Sequence, residues 1–118
     1  MRISVALATY NGERWIREQL NSLTNQSLLP YELVISDDNS GDRTLDVVEQ
    51  FAAAAPFPVR IARNDNRLGF ADNFINALRH CTGDAVAFYL NGIRPRGVLK
   101  LHYFASYKMR KASQVFAL

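Results

Sequence analysis

The alternation of strand and helix signals along this 118-residue chain predicts an α/β fold, with a mostly parallel sheet and flanking helices. Short apolar runs, most of them followed by polar loops, alternate with segments whose apolar residues recur at helical spacing. Helices between the strands indicate right-handed crossovers, which place consecutive strands parallel. The length and a hydrophobic content of 48% suit one globular domain and exclude a fibrous or disordered chain.

The first strand and helix stand near the N-terminus. Residues 2–8 are mostly apolar, as in a strand that is covered on both faces, and a polar loop follows them. From Glu13 the apolar residues recur at helical spacing over 15–23, with the polar Gln19 on the flank of that face. Pro30 closes the segment, because proline cannot continue a helix.

Two further helices and three further strands follow. Residues 33–35 form a short apolar run, and the apolar positions of 45–52 repeat helically after it. Residues 59–62 predict a weak third strand, and 70–81 carry a third apolar helical face. The β-rich run Ala85–Leu90 predicts a fourth strand.

The loops after strands one, two and four are the candidate binding loops, because ligands of open parallel sheets bind beyond the carboxyl ends of the strands. Asp37 and Asp38 begin the strand-two loop, and neighbouring strand residues point to opposite faces. We therefore expect Asp38 to face a ligand and Asp37 to bond its own loop or cap the next helix. The alternative is a plain turn, with Ser40 or Asp42 as the helix cap.

The remaining candidate residues are isolated ones. Tyr10 could stack on a nucleobase or be a core aromatic residue with its hydroxyl in solvent. Gly12 stands alone, so the glycine fingerprint of dinucleotide sites is absent, as are the Walker A and serine-hydrolase motifs. His80 and His102 lack metal-ligand spacing, and we expect Cys81 to be a small buried helix residue.

Charge is distributed unevenly along the chain. The first 88 residues hold eight basic and eleven acidic side chains, whereas the last 30 hold six basic side chains and no acidic one. Such a shift predicts a boundary, with residues 89–118 as a divergent basic tail.

Four segments carry a resemblance to a known family. They are SVALATYNGERWIREQLNSLTNQ, YELVISDDNSGDRTLDVV, NDNRLGFADNFINAL and TGDAVAF, in this order over residues 2–88. Together they resemble the nucleotide-sugar-binding half of a family-two glycosyltransferase. The resemblance implies a Rossmann-like, glycosyltransferase A-type fold. It also implies sugar transfer from a nucleotide-diphospho-sugar to an acceptor, usually with inversion and with Mg or Mn as cofactor.

The resemblance also implies a donor site. Ala8 and Tyr10 would line the base pocket, and Glu13 would support the loop. Asp38 would hold the base or ribose, and the NRLGF segment would approach the sugar-diphosphate side. The predicted substrate-binding residues are Ala8, Thr9, Tyr10, Asn11, Glu13, Asp37, Asp38, Arg67 and Gly69.

The sequence departs from the family after strand four. The family places an acidic D-x-D motif there to hold the metal, whereas residues 89–94 read Tyr-Leu-Asn-Gly-Ile-Arg. Asp84 opens the strand, roughly 20 Å from its far end at about 3.3 Å per residue, and cannot replace the motif. We therefore assign no metal ligand and no catalytic residue. Because the acceptor half and its general base are also missing, we expect no transfer activity from this chain.

Residues 89–118 have three interpretations. They are the product of a truncated or frameshifted gene, a basic amphipathic helix over 98–118 that meets an anionic membrane surface, or a helix that packs on the sheet. No apolar run of membrane-spanning length and no signal peptide is evident, so we expect a cytoplasmic protein, or a peripheral one at the inner membrane surface. We expect no nucleic-acid partner.

Overall fold

The computed structural model describes residues 2–90 and 103–105, and in this part of the chain one sheet is flanked by helices. The elements are β1 (Ile3–Thr9), α1 (Glu13–Thr24), β2 (Glu32–Asp37), α2 (Thr44–Ala54), β3 (Val59–Arg63), α3 (Phe70–Arg79), β4 (Ala85–Leu90) and β5 (Tyr103–Ala105). The strand order is β3-β2-β1-β4-β5. The first four strands are parallel, and β5 pairs antiparallel with β4. The predicted α/β class and mostly parallel sheet are confirmed.

The chain changes direction across the sheet after β3. β2 and β3 are added outward from β1 on one side, and β4 then pairs with the other side of β1. The carboxyl ends of β1 and β4 therefore flank the point where the strand order reverses. This is the position at which open α/β sheets bind ligands.

Alternate residues of the strands supply two separate cores, as the twofold period of a strand requires. Val5 and Leu7 of β1 pack in one cluster with residues of α1 and α2, including Ile16, Leu20 and Val48. The neighbouring residues of β1 pack in the second cluster with the α3 residues; its members are Ala6, Ala8, Val34, Phe74, Ala77, Leu78, Cys81 and Val86. Helices thus cover both faces of the sheet. Because both faces are covered, the central strands are mostly apolar along their length.

The buried carboxylate of Glu32 links several elements at the amino edge of the sheet, where the amino ends of the parallel strands lie. Glu32 accepts hydrogen bonds from the Ser4 hydroxyl at 2.6 Å and from the Thr82 backbone N–H at 2.6 Å, and it pairs with Arg60 at 2.7 Å. Burial alone would raise the pKa of Glu32, but these donors together hold it below its usual value. Asp84 lies at the same edge, where it pairs with Arg2 at 3.1 Å.

Several details differ from the sequence predictions. Gln19 is buried on the inner face of α1 rather than lying on its flank, and Phe70 is exposed although it was assigned to the apolar face of α3. Cys81 is buried as predicted, but it lies two residues beyond the end of α3. Burial and the nearby Glu32 carboxylate raise the pKa of its thiol to about 12, so the thiol stays protonated at neutral pH.

The amphipathic helix over 98–118, one of the three interpretations of this segment, does not hold at residues 103–105. The structure places Tyr103–Ala105 in β5, where this short strand pairs with the edge of β4. The rest of that predicted helix, and the loop that follows β4, lie outside the described residues. In the part of the chain that the structure describes, no helix is both long and apolar enough to cross a membrane.

Candidate functional site

The loops after β1 and β2 are joined by reciprocal hydrogen bonds. Asn11 accepts the Gly41 backbone N–H on its side-chain oxygen at 2.8 Å, and its own backbone N–H donates to the Ser40 hydroxyl at 3.0 Å. Asn11 and Asn39 both have positive φ angles, 46° and 59°, a conformation that asparagine tolerates better than most residues. The two loops are therefore joined directly at the carboxyl edge of the sheet.

Glu13 and Asp42 connect the first turns of α1 and α2. Asp42 accepts the backbone N–H of Glu13 at 3.1 Å and that of Thr44 at 2.9 Å. In return, the Glu13 carboxylate accepts the backbone N–H of Arg43 at 3.3 Å. Burial would raise the pKa of Asp42, but the bonds from Thr44 and Glu13 outweigh it and lower that pKa. Glu13 and Asp42 thus join the start of α1 to the residues that lead into α2.

The two neighbouring aspartates at the carboxyl end of β2 face different partners. Asp37 accepts the Thr9 hydroxyl at 2.6 Å and the Ser40 backbone N–H at 2.9 Å, so it bonds its own loop and the end of β1. Asp38 is only 2% exposed. Its two carboxylate oxygens accept the backbone N–H groups of Leu68 at 2.7 Å and Gly69 at 3.0 Å. Asp38 therefore holds the loop that follows β3.

That loop brings Arg67 across the site to Tyr10. The Arg67 guanidinium carbon lies 3.9 Å from the centroid of the Tyr10 ring, and its Nε lies 3.9 Å from a carboxylate oxygen of Asp38. The Tyr10 residue is 40% exposed, and the Arg67 side chain is 60% exposed. A cation, an aromatic ring and a carboxylate from three different loops thus meet at one edge, with the ring and the cation open to solvent. Gly69 has a φ of +91°, which favours glycine where the loop turns into α3.

A polar cluster that sequence reasoning missed lies beneath these loops. Asn73 of α3 is buried and accepts the Ser36 hydroxyl at 2.7 Å and the Asn64 side-chain amide at 2.9 Å. Its own amide donates to the Thr9 backbone carbonyl at 3.2 Å. The only signal in the sequence is an asparagine on the apolar side of α3, next to Phe74, where a polar side chain needs partners.

The structure brings most of the predicted site residues together. The loop residues and the end of β2 form one connected group, made of Thr9, Tyr10, Asn11, Asp37, Asp38, Arg67 and Gly69. Glu13 lies behind this group, against α2. Ala8 packs in the core beneath α3 with Phe74 and Val34.

Comparison with known proteins decides the family, because the family model described as glycosyl transferase family 2 matches residues 4–89 of this chain. The chain belongs to glycosyl transferase family 2. The dTDP-rhamnosyl transferase RfbG of Shigella flexneri is 40% identical over 74 residues, which cover 62% of this chain and 26% of that protein. The poly(ribitol-phosphate) beta-N-acetylglucosaminyltransferase TarS of Staphylococcus aureus is 36% identical over 91 residues, which cover 75% of this chain and 16% of TarS.

Two solved structures of glycosyltransferases are similar to this chain in architecture over the matched part. The crystal structure of TarS 1–349 in complex with UDP has a TM-score of 0.69 at 33% identity, and the match covers 77% of this chain and 27% of that one. The mannosyltransferase PcManGT of Pyrobaculum calidifontis, in complex with GDP-Man and Mn²⁺, has a TM-score of 0.68 at 31% identity. This match covers 75% of this chain and 27% of PcManGT. The glycosyltransferase A-type expectation is confirmed. The chain spans less than a third of the length of each of these relatives.

The described residues of this family 2 chain do not fit a divalent cation. The carboxylate oxygens of Asp37 and Asp38 accept hydrogen bonds from hydroxyl and N–H donors. Hard cations need such oxygens as ligands, and here these oxygens already have partners. Within residues 2–90 and 103–105, no three His, Cys, Asp or Glu side chains are grouped to hold a metal ion. Residues 89–94 also contain no acid.

Proposed function

We propose that this chain is a donor-binding half of a family 2 glycosyltransferase, which holds the nucleotide of a nucleotide-diphospho-sugar beyond the carboxyl edge of its sheet. The observation that carries this proposal is the meeting of Tyr10, Arg67 and Asp38 at the point where the strand order reverses. The exposed Tyr10 ring suits a flat nucleobase, which can stack on it. The exposed Arg67 cation suits the carbonyl acceptors of the base and the anionic diphosphate that is joined to it through the ribose.

The roles of the site residues follow from their placement. The Tyr10 ring supplies a stacking surface, and stacking of a base on an aromatic side chain contributes about 1 to 3 kcal/mol. Arg67 adds donors for base carbonyls or phosphate oxygens. Asp38 is buried and its oxygens accept the backbone N–H groups of Leu68 and Gly69, so it fixes the loop that presents Arg67.

Sugar transfer is the activity of the family members that this chain resembles, and two of the matched structures support the donor class. One holds UDP and the other holds GDP-Man with Mn²⁺. For this chain we propose nucleotide binding without transfer. Residues 89–94 contain no acid, and Asp37 and Asp38 are already hydrogen-bonded, so within the described residues no carboxylate is placed to hold a metal on the diphosphate. A bound divalent metal normally neutralises that charge as the leaving group departs.

Isothermal titration calorimetry on the 118-residue chain tests the proposal with UDP, dTDP and GDP as separate ligands. We expect weak binding of at least one nucleotide and at least tenfold loss of affinity in Tyr10→Leu, because that change removes the stacking surface. Tyr31→Leu is the matched control, since Tyr31 is equally exposed but contacts Arg2 at the opposite edge. Absence of heat with all three nucleotides, or equal losses in both variants, would contradict the proposal.

Residues 89–118 carry six basic side chains and no acidic one, which favours a second proposal of contact with an anionic membrane surface. Co-sedimentation with vesicles of neutral lipid alone and with vesicles that contain phosphatidylserine tests it. Binding that requires the acidic lipid and falls with salt supports the proposal, and equal binding to both vesicles contradicts it.

A further inference from the structure

From the polar cluster beneath the loops, we infer that Asn73 is the positioning residue of the donor site, whose one carboxamide sets the loops that bear Tyr10 and Asp38 relative to each other. This inference rests on the proposed nucleotide-binding function. Asn73 faces no ligand itself, because it is buried on α3 beneath the loops.

Each hydrogen bond of the Asn73 side chain ends close to a site residue. The amide nitrogen donates to the backbone carbonyl of Thr9, whose next residue is Tyr10. The amide oxygen accepts from the Asn64 amide, which also donates to Asp38 at 3.2 Å. The same oxygen accepts the Ser36 hydroxyl, which comes from the strand that ends in the two aspartates. One side chain therefore joins the ends of β1 and β2 and the loop after β3.

The orientation of this carboxamide is fixed by its partners. A backbone carbonyl can only accept, so the Asn73 nitrogen must face Thr9. Ser36 accepts the Asn76 amide at 2.9 Å, which directs the Ser36 proton to the Asn73 oxygen. With two donors on the oxygen and a carbonyl on the nitrogen, the side chain has one arrangement that satisfies every partner.

The backbone of Asn73 contributes to the same junction. Its N–H donates to the carbonyl of Gly69 at 2.9 Å, and the N–H of Gly69 donates to Asp38 at 3.0 Å. The β3 loop is thus held from both sides, by Asp38 above and by Asn73 below. A change in the carboxamide should move the loops, although it removes no group that a nucleotide would contact.

The test is nucleotide affinity in Asn73→Asp, which has the same shape and keeps the two acceptor contacts. An ionised aspartate cannot donate to the Thr9 carbonyl, whereas a protonated one can. We expect the dissociation constant for the best-bound of UDP, dTDP and GDP to rise about tenfold or more at pH 8, because the buried Thr9 carbonyl loses its donor. We expect the loss to shrink as the pH falls.

Charged side chains next to Asn73 or its hydrogen-bond partners include Asp37, Asp38, Asp65 and Asp72, and Arg67 pairs with Asp38. The wild-type chain at the same pH values is the control for them. Ser4→Ala is the matched stability control, because Ser4 is equally buried but bonds Glu32 at the opposite edge. Its dissociation constant should stay within twofold of wild type, even though its unfolding temperature falls. All measurements are made at 10 °C on samples shown by circular dichroism to be folded.

A purely structural role for Asn73 would lower the unfolding temperature of Asn73→Asp without a pH-dependent loss of affinity, and this result overturns the inference alone. If the wild-type chain binds none of the three nucleotides, the proposed function fails, and the inference fails with it. If Asn73→Asp does not fold at 10 °C, Asn73→Ser replaces it. An affinity of that variant within twofold of wild type overturns the inference, and a tenfold loss supports it.

Discussion

Replacing Asp38 by asparagine tests the role of its carboxylate in holding the β3 loop. Leu68 and Gly69 each donate a backbone N–H to a different carboxylate oxygen, at 2.7 and 3.0 Å. An asparagine keeps one oxygen, so its amide would face the other backbone N–H and leave that donor unpaired. Hydrogen bonds to charged groups contribute about 1.5 to 3 kcal/mol each, and an unpaired buried donor costs about 1 to 3 kcal/mol.

We therefore expect Asp38→Asn to lower the free energy of unfolding by about 2 to 4 kcal/mol, a large share of the roughly 5 to 15 kcal/mol of a typical domain. Urea denaturation at pH 7 measures this change. Trypsin cleavage after Arg67 without nucleotide should also accelerate, because the loop opens locally. Asp65→Asn is the matched control, since Asp65 is exposed on the same loop. A loss below about 0.5 kcal/mol, typical of a surface substitution, would refute the reasoning.

Three further predictions concern Glu32, Gly83 and added divalent metal ions. Glu32→Gln should lower the free energy of unfolding at pH 7 by about 2 kcal/mol. Because the folded state lowers the pKa of Glu32 below 4.5, the difference from wild type in urea denaturation should persist above that pH and shrink as the pH falls further. Gly83→Ala should cost about 1 to 3 kcal/mol in the same assay, because the added Cβ would lie 2.6 Å from the Ser4 hydroxyl and 2.8 Å from the Arg2 carbonyl. Adding Mg²⁺ or Mn²⁺ should change the nucleotide dissociation constant less than twofold in calorimetry. A pH-independent effect of Glu32→Gln, a neutral Gly83→Ala or a strong metal requirement would each contradict its prediction.

Three of the strands could be predicted because most of their described residues are buried on both faces. The apolar runs at 2–8, 33–35 and Ala85–Leu90 lie where the structure has β1, β2 and β4, since helices on both faces demand continuous apolar strands. Phe70 could not be placed correctly, because helical spacing does not show that the first residue of α3 turns away from the sheet.

The sequence predicted candidate site residues but not their contacts. Asp37 bonds its own loop. Asp38 was expected to face a ligand, but it is buried and bonds the β3 loop. The bond between Asp38 and Leu68 joins residues that lie thirty positions apart. Asn73 likewise gains its partners only when α3 packs on β1 and β2. Such contacts depend on tertiary packing, which periodicity does not encode.

Nucleotide binding at the carboxyl edge can be measured by the amide chemical shifts of the ¹⁵N-labelled chain, titrated with UDP, dTDP and GDP. We expect saturable shifts at Tyr10, Asn11, Asp38 and Gly69 with at least one nucleotide. The amides of Arg60 and Thr82, at the amino edge, should stay unchanged. Shifts centred on the amino edge, or no shifts with any of the three nucleotides, would contradict nucleotide binding at the carboxyl edge.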